Sequence, residues 1–419
     1  MLVAFFARRG IYYGWVVLAT MFITMFMALG IRFSFGIFYV AILADTGWQR
    51  AETALIYSIM MLSYTIAIVP SGFLFDRFGP RVLFPVAPIL LGAGLFLCST
   101  IENILEFYLY YGVMVGVSFS LIGFPNHMAV VPRWFQRRRG MASGLALSGI
   151  GFGSLLISWL SEYLIEQVGW RAAFQYYGIA VIVVLVPLNL IFHRQSPQSI
   201  GLNPDGDPPS ETTLQSASPG DGVTIWGALK NPAWWFLLIS VSMIGFVTMT
   251  MVVHQTRLSM DFGYTLTTAA FFFGLTGIIR SLGQMTWGTL SDRFGRNPIF
   301  LLVTVMSVTG VLVLYLTQHS PHVVYLSLFT ILLGFGFMGV SPVYASMVSE
   351  LFQGRHLGKI LAILDIGFGL GASSGPFLAG YFFDLYGNYN LTLILLIASI
   401  CLGGMMMYLT TRLHSKPSN

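Results

Sequence analysis

Charge is what this chain has least of. Only 9% of its 419 residues are Asp, Glu, Lys or Arg, against about 25% in a soluble domain. With 56% hydrophobic residues and a mean hydropathy of +0.77, the composition excludes an ordinary soluble globule and places most of the chain in lipid. Cysteine is nearly absent. Cys98 and Cys401 both fall in apolar segments, which excludes a disulfide framework and offers no metal-ligand spacing. No ATP-binding motif and no nucleophile–base or metal-ligand constellation is present, so neither an enzyme nor a cofactor is expected. The net charge of +5 does not point to nucleic acid, because its distribution explains it as membrane topology. No signal peptide is expected. The first apolar stretch, Gly14–Ala41, far exceeds a signal core and no small-residue cleavage site follows it. Arg8-Arg9 can be read as a twin-arginine signal, but an anchor for the first helix is the expected role.

Long hydrophobic runs are what the chain has in abundance. Twelve spans are expected, at about 14–41, 52–75, 81–99, 106–130, 140–165, 171–193, 232–256, 267–290, 298–317, 323–348, 357–383 and 388–411. Each is long enough to cross a bilayer with some tilt. Helices are the only reading, since an open sheet would strand backbone donors in lipid. Of the 21 basic residues, only Arg50, Arg171 and Arg257 fall on the side opposite Arg8, and only Arg32 and Arg280 lie within spans. That asymmetry predicts both termini in the cytoplasm of a multi-pass inner (plasma) membrane protein. One hydrophilic stretch, Arg194–Leu229, contains Asn203-Pro204-Asp205-Gly206-Asp207-Pro208-Pro209 and reads as a flexible linker. It predicts three parts: a six-helix bundle over 1–193, a cytoplasmic linker over 194–230 and a second six-helix bundle over 231–419.

The halves repeat each other. At an offset of 216, Gly72-Phe73-Leu74-Phe75-Asp76-Arg77-Phe78-Gly79 matches Gly288-Thr289-Leu290-Ser291-Asp292-Arg293-Phe294-Gly295, and Ile150-Gly151-Phe152-Gly153 matches Ile366-Gly367-Phe368-Gly369. The offset slips to 217 where Phe135-Gln136 matches Phe352-Gln353. A parallel repeat of this kind implies two bundles related by an axis along the membrane normal, with a site between them exposed to either side by rocking. In the doubled motif the Asp is expected to pair with the basic cluster and helix ends, latching the inner side. The Gly allows close helix approach. Ordinary turn residues are the bland alternative. Gly149, Gly151, Gly153, Gly367, Gly369 and Gly371 are read as close-packing positions.

Ions buried in the spans are the candidate site. Arg280 lies roughly ten residues from the charged end of its span, ~15 Å deep in a ~30 Å hydrocarbon core. A guanidinium there is costly against lipid, so it is expected to face the interior and bind an anion bidentately, with Gln284 and Thr276 on its face. A static pair with an acid is the alternative. Asp365 lies about 12 Å into the eleventh span and reads either as a proton site linked to Arg280 or as a static partner. Arg32 reads as a second anion contact or gate, or as a snorkelling side chain. Tyr64 is the repeat mate of Arg280 and a candidate substrate contact. Ser118, Ser120, Ser148, His254 and Tyr344 are weaker candidates, and Asn126-His127 reads as a gate or cap.

Together these features resemble the major facilitator superfamily over nearly the whole chain. Gly72, Asp76, Arg77, Gly79 and Arg81 are similar to its loop 2–3 signature. Tyr13-Gly14-Trp15, Ser34-Phe35-Gly36-Ile37-Phe38 and Gly47-Trp48-Gln49-Arg50-Ala51 resemble the first-helix signature of the monocarboxylate transporter and oxalate/formate antiporter families, and Gly375-Pro376-Phe377-Leu378-Ala379-Gly380 with Asp384 resembles their eleventh helix. The resemblance implies that Arg280 binds a substrate carboxylate. The chain departs from the proton-coupled pattern at Thr276, where an Asp is usual, and at Phe33, where a Lys is usual.

The expected function is secondary transport of a small organic anion, most simply proton-coupled uptake of a lactate- or pyruvate-like monocarboxylate. Arg280 would be the ligand, Asp365 the coupling acid and the proton gradient the energy source, with the chain acting as a monomer among membrane lipids. Oxalate/formate-type exchange, drug efflux and a sensor that kept a carrier fold are the alternatives.

Overall fold

A computed structural model describes residues 8–136, 139–206, 223–352 and 357–414. The middle of the linker, 207–222, and the basic residues Arg137, Arg138, Arg355 and Lys416 lie outside these. The described residues form twelve membrane-length helices. They are α1 (Tyr13–Thr46), α2 (Arg50–Phe78), α3 (Pro80–Cys98), α4 (Ile104–Trp134), α5 (139–168), α6 (170–192), α7 (Pro232–Asp261), α8 (Leu266–Phe294), α9 (Arg296–Leu316), α10 (Val323–Leu351), α11 (Leu357–Tyr386) and α12 (Asn390–His414). No strand occurs among the described residues. The expected spans are all present, and several are longer than hydropathy suggested. α1, for instance, reaches Thr46 because Asp45 is anchored by Trp170 and Arg171 at 3.0 and 2.6 Å. The expected linker is not wholly irregular, since Ile225–Lys230 forms a short helix whose N-terminus is capped by Thr224.

Each half builds its own core. Tyr57, Phe84, Phe107 and Phe119 anchor one, and Trp234, Phe329, Phe337 and Leu396 the other. Where the halves meet, small residues set the spacing. Gly369 lies against Thr65 (α11 on α2), and Gly277 against Ser154 (α8 on α5), so closely that a methyl group at either glycine would clash.

The repeat runs deeper than the matched motifs. α4 breaks at Gly123 and α10 between Gly336 and Val340. Each resumes as an 11-residue helix with proline in its first turn, Phe124–Trp134 carrying Pro125 and Ser341–Leu351 carrying Pro342. Proline suits a helix start and cannot donate to the preceding turn. Asn126 takes up the carbonyls that the first break frees, donating to Leu121 and Ser120 at 2.9 and 3.2 Å. Gly79 and Gly295, the repeated motif glycines, have φ of 73° and 87°. Only glycine adopts that region without strain, so both close the turn into the next helix.

Candidate functional site

Arg280 is residue 15 of the 29 in α8, so about 21 Å of helix lies on either side of it. Its side chain is 7% exposed and faces the other bundle, where its guanidinium sits 4.4 Å from the centroid of the Phe33 ring in α1. Among the described residues it has no hydrogen-bond acceptor and no acidic partner. Gln284 and Thr276 do not steady it. Gln284 donates to Ser341 at 3.2 Å, while Thr276 donates to the Phe272 carbonyl and accepts from Gln255.

Arg32, the residue before Phe33 in α1, lies near the same ring. Aromatic rings surround it, with Tyr64 at 4.9 Å, Phe119 at 5.6 Å and Phe33 at 5.9 Å. Its guanidinium donates to the Met61 sulfur, a weak acceptor, at 2.7 Å, and its Nε has no partner among the described residues. Asp365 lies nearer the linker end, half-buried, with no hydrogen bond or ion pair among the described residues. Arg32, Tyr64 and Tyr344 lie within electrostatic range of it. Tyr344 is buried in α10 with an unpartnered hydroxyl. Arg280, Arg32, Asp365, Tyr64 and Tyr344 therefore gather at the middle of the seam, and Phe33 joins them as the plane shared by two guanidiniums. Sequence reasoning treated Phe33 only as a missing lysine; its place next to Arg32 was the available signal.

Three expected contacts lie elsewhere. Ser118 points into its own bundle and donates to the Ala87 carbonyl at 3.2 Å. Ser148 is half-buried and donates within its helix to the Leu145 carbonyl at 2.8 Å. His254 is at membrane depth as expected, but both its ring nitrogens are engaged. Nε2 meets the Pro376 carbonyl at 2.8 Å and Nδ1 meets the Tyr389 hydroxyl at 3.1 Å. A carbonyl can only accept, so Nε2 carries the proton and Nδ1 accepts from Tyr389.

That histidine belongs to a second cluster, at the end of the molecule far from the linker. Tyr389 also accepts from Arg50 at 2.8 Å, and Arg50 donates to Asp261 at 2.5 Å while lying over the Phe383 ring at 3.4 Å. Asp384 of α11 accepts from the backbone N–H groups of Arg50 and Ala51, at 3.1 and 2.7 Å. A carboxylate from one bundle thus caps the first turn of a helix in the other. Arg257 completes the cluster at 3.1 Å from Asp261. Three basic residues outside the basic-rich side were visible in the sequence, but their acidic partners were not.

Two further hydrogen bonds join the bundles, Tyr57 to Met249 and Thr267 to Glu162. Part of the linker end, including Arg137, Arg138 and Arg355, lies outside the described residues. Of the doubled motif, Asp76 and Arg77 are exposed and Asp76 has no ion pair among the described residues. Gly72 has open space around it and Arg81 is exposed. In the second copy Gly288 packs loosely near Pro342 and Arg293 is exposed. Asp292 pairs with Arg296 at 2.8 Å, and Arg296 with Glu350 at 2.5 Å, all within one bundle. Arg137 and Arg138 of the basic cluster expected to hold Asp76 lie outside the described residues.

The family model of the Major Facilitator Superfamily matches residues 21–346 and 260–419. Monocarboxylate transporter 13 of Bos taurus is 26% identical over 394 residues, covering 93% of this chain and 88% of that protein. An uncharacterized MFS-type transporter of Escherichia coli (strain K12), YhjX, is 25% identical over 363 residues and covers 85% of each. Among solved structures, a bacterial homolog of the human lysosomal transporter Spinster, inward-facing and unoccupied, aligns with a TM-score of 0.73 at 15% identity, over 97% of this chain and 99% of that one. The nucleoside transporter NupG aligns with a TM-score of 0.74 at 12% identity, over 94% and 99%. At such identities the structural likeness speaks for the fold alone.

Proposed function

Since the chain belongs to the Major Facilitator Superfamily, we propose that it is a secondary carrier of a small organic monoanion, a lactate- or pyruvate-like monocarboxylate, moved with a proton across the plasma membrane by alternating access. The observation that carries this reading is Arg280, a guanidinium at mid-span, between the bundles, with no acidic partner among the described residues. A permanent cation in that setting is stabilised by an anion that arrives and leaves. Its planar fork suits a carboxylate, and the apolar rings beside it suit a short organic tail. The names of several relatives at about this level of similarity, among them Monocarboxylate transporters 13 and 12, support the substrate class.

Asp365 is the coupling acid in this reading. With Asp365 ionised, Arg32 and Arg280 leave one net positive charge, matched by one carboxylate. The cross-bundle ties at the far end fit a carrier closed on that side. The basic residues support a cytoplasmic linker, and the bacterial relatives support a plasma membrane. The second guanidinium favours an alternative, exchange of a two-carboxylate anion such as oxalate, when Asp365 is protonated.

Uptake of labelled lactate, pyruvate and oxalate into proteoliposomes tests the reading. Symport predicts uptake of a monocarboxylate stimulated by an imposed pH gradient and lost in Arg280→Lys, which keeps the charge but not the fork. Uptake that needs a preloaded counter-anion would replace symport by exchange. Transport that survives Arg280→Ala would favour efflux of amphipathic compounds.

A further inference from the structure

On the membrane-facing side, α5 and α8 enclose a groove of about 660 Å³ at the end of the molecule far from the linker. Its lining changes character with depth. Glu162 and Thr267 form the outer end, and Leu155, Trp159, Phe271 and Phe272 line the part nearer the middle of the membrane. The order holds on both helices, since 162 precedes 159 and 155 going inward along α5 and 267 precedes 271 and 272 going inward along α8. The walls are open to lipid, with Trp159 63% and Phe271 55% exposed. Glu162, in contrast, is 8% exposed, accepts one hydrogen bond, from Thr267 at 2.6 Å, and has no cation paired with it among the described residues.

A recessed carboxylate above an apolar slot is costly without a cation. No side chain among the described residues supplies one, and the exposed walls of the slot are apolar. We propose that this groove is a binding site for a phospholipid with a primary-amine headgroup, an ethanolamine lipid of the outer leaflet. Its ammonium donates to the Glu162 carboxylate, and its acyl chains lie along Leu155, Trp159 and the two phenylalanines. A primary ammonium carries N–H donors for a recessed acceptor, whereas a trimethylated one carries none. An anionic headgroup meets like charge. The phosphate lies at the level of the first turn of α8, whose leading backbone N–H groups point outward. The groove joins one helix from each bundle and the Glu162–Thr267 bond closes it, so the bound lipid bridges the bundles on the side that is tied.

Native mass spectrometry of the full chain, released from detergent after incubation with defined lipid, tests this. With phosphatidylethanolamine the wild type retains one lipid through delipidation. Glu162→Gln loses it with about tenfold weaker affinity, and Arg280→Gln retains it, which separates this site from the transport reading. Phosphatidylcholine and phosphatidylglycerol do not substitute on the wild type, a comparison that needs no variant to fold. Leu155→Trp fills the slot and lowers retention with the carboxylate intact. Equal retention of all three lipids by the wild type, or equal retention of phosphatidylethanolamine by Glu162→Gln, would overturn the proposal.

Discussion

Two arginines of one chain meet opposite circumstances. Arg50, at the far end, is held by Asp261, Tyr389 and the Phe383 ring, and the first turn of its helix is capped by Asp384. All these partners come from the other bundle. Arg280, at mid-span, has an aromatic platform from the other bundle and, among the described residues, no acid. The first arginine closes a contact within the protein. The second leaves one for something that comes and goes. A charge satisfied across the seam ties the bundles together, while a charge left without a partner at the seam gives a ligand leverage over them. A carrier needs both, because its substrate must be able to change which end is tied.

The largest effect that separates the two arginines is expected from Arg280→Gln. It should weaken carboxylate binding roughly 30-fold, about 2 kcal/mol, and abolish uptake, as read by titration and proteoliposome flux. Asp365→Asn should come next. It should cut pH-gradient-driven uptake about tenfold, because no titrating carboxyl remains, yet leave anion counterflow running. Loss of both fluxes would make Asp365 structural. At the far end, Asp384→Ala uncaps α2, and the loss of a cap is worth about 1 kcal/mol. The first-turn amides of α2 should then exchange with deuterium about fivefold faster, while carboxylate affinity stays near that of the wild type. The smallest effect should come from His254→Gln. It disturbs the Arg50–Tyr389–His254–Pro376 chain and lowers the melting temperature, but changes substrate affinity by less than about twofold. A large loss of affinity there would return His254 to the substrate site.

Most of the fold was legible in the sequence. Lipid leaves helices as the only economical structure, so hydropathy alone located α1 to α12, and the doubled motif around Asp76 and Asp292 showed the repeat. Breaks in α4 and α10 were not anticipated. Pro125 and Pro342 were their signal, an offset of 217 apart, but apolar residues continue across both breaks and mask them. The seam was legible by depth. Arg280, Arg32, Asp365 and Tyr64 were recognised because an ion, or its repeat mate, deep in an apolar run needs an explanation. Depth does not give facing. Ser118 and His254 have the right depth, yet one points into its own bundle and the other into the far-end cluster. Partners across the seam, such as Asp384 for the first turn of α2, lie more than three hundred residues away in the chain. No local pattern encodes them.

The most direct test of the claim that Arg280 awaits a carboxylate is the thermal stabilisation of purified protein by lactate, pyruvate and oxalate, set beside lactamide and pyruvamide. A carboxylate should raise the melting temperature of the wild type in a saturable way. The neutral amides should not, and Arg280→Gln should lose the response. Stabilisation that survives in Arg280→Gln, or that the amides match, would contradict it.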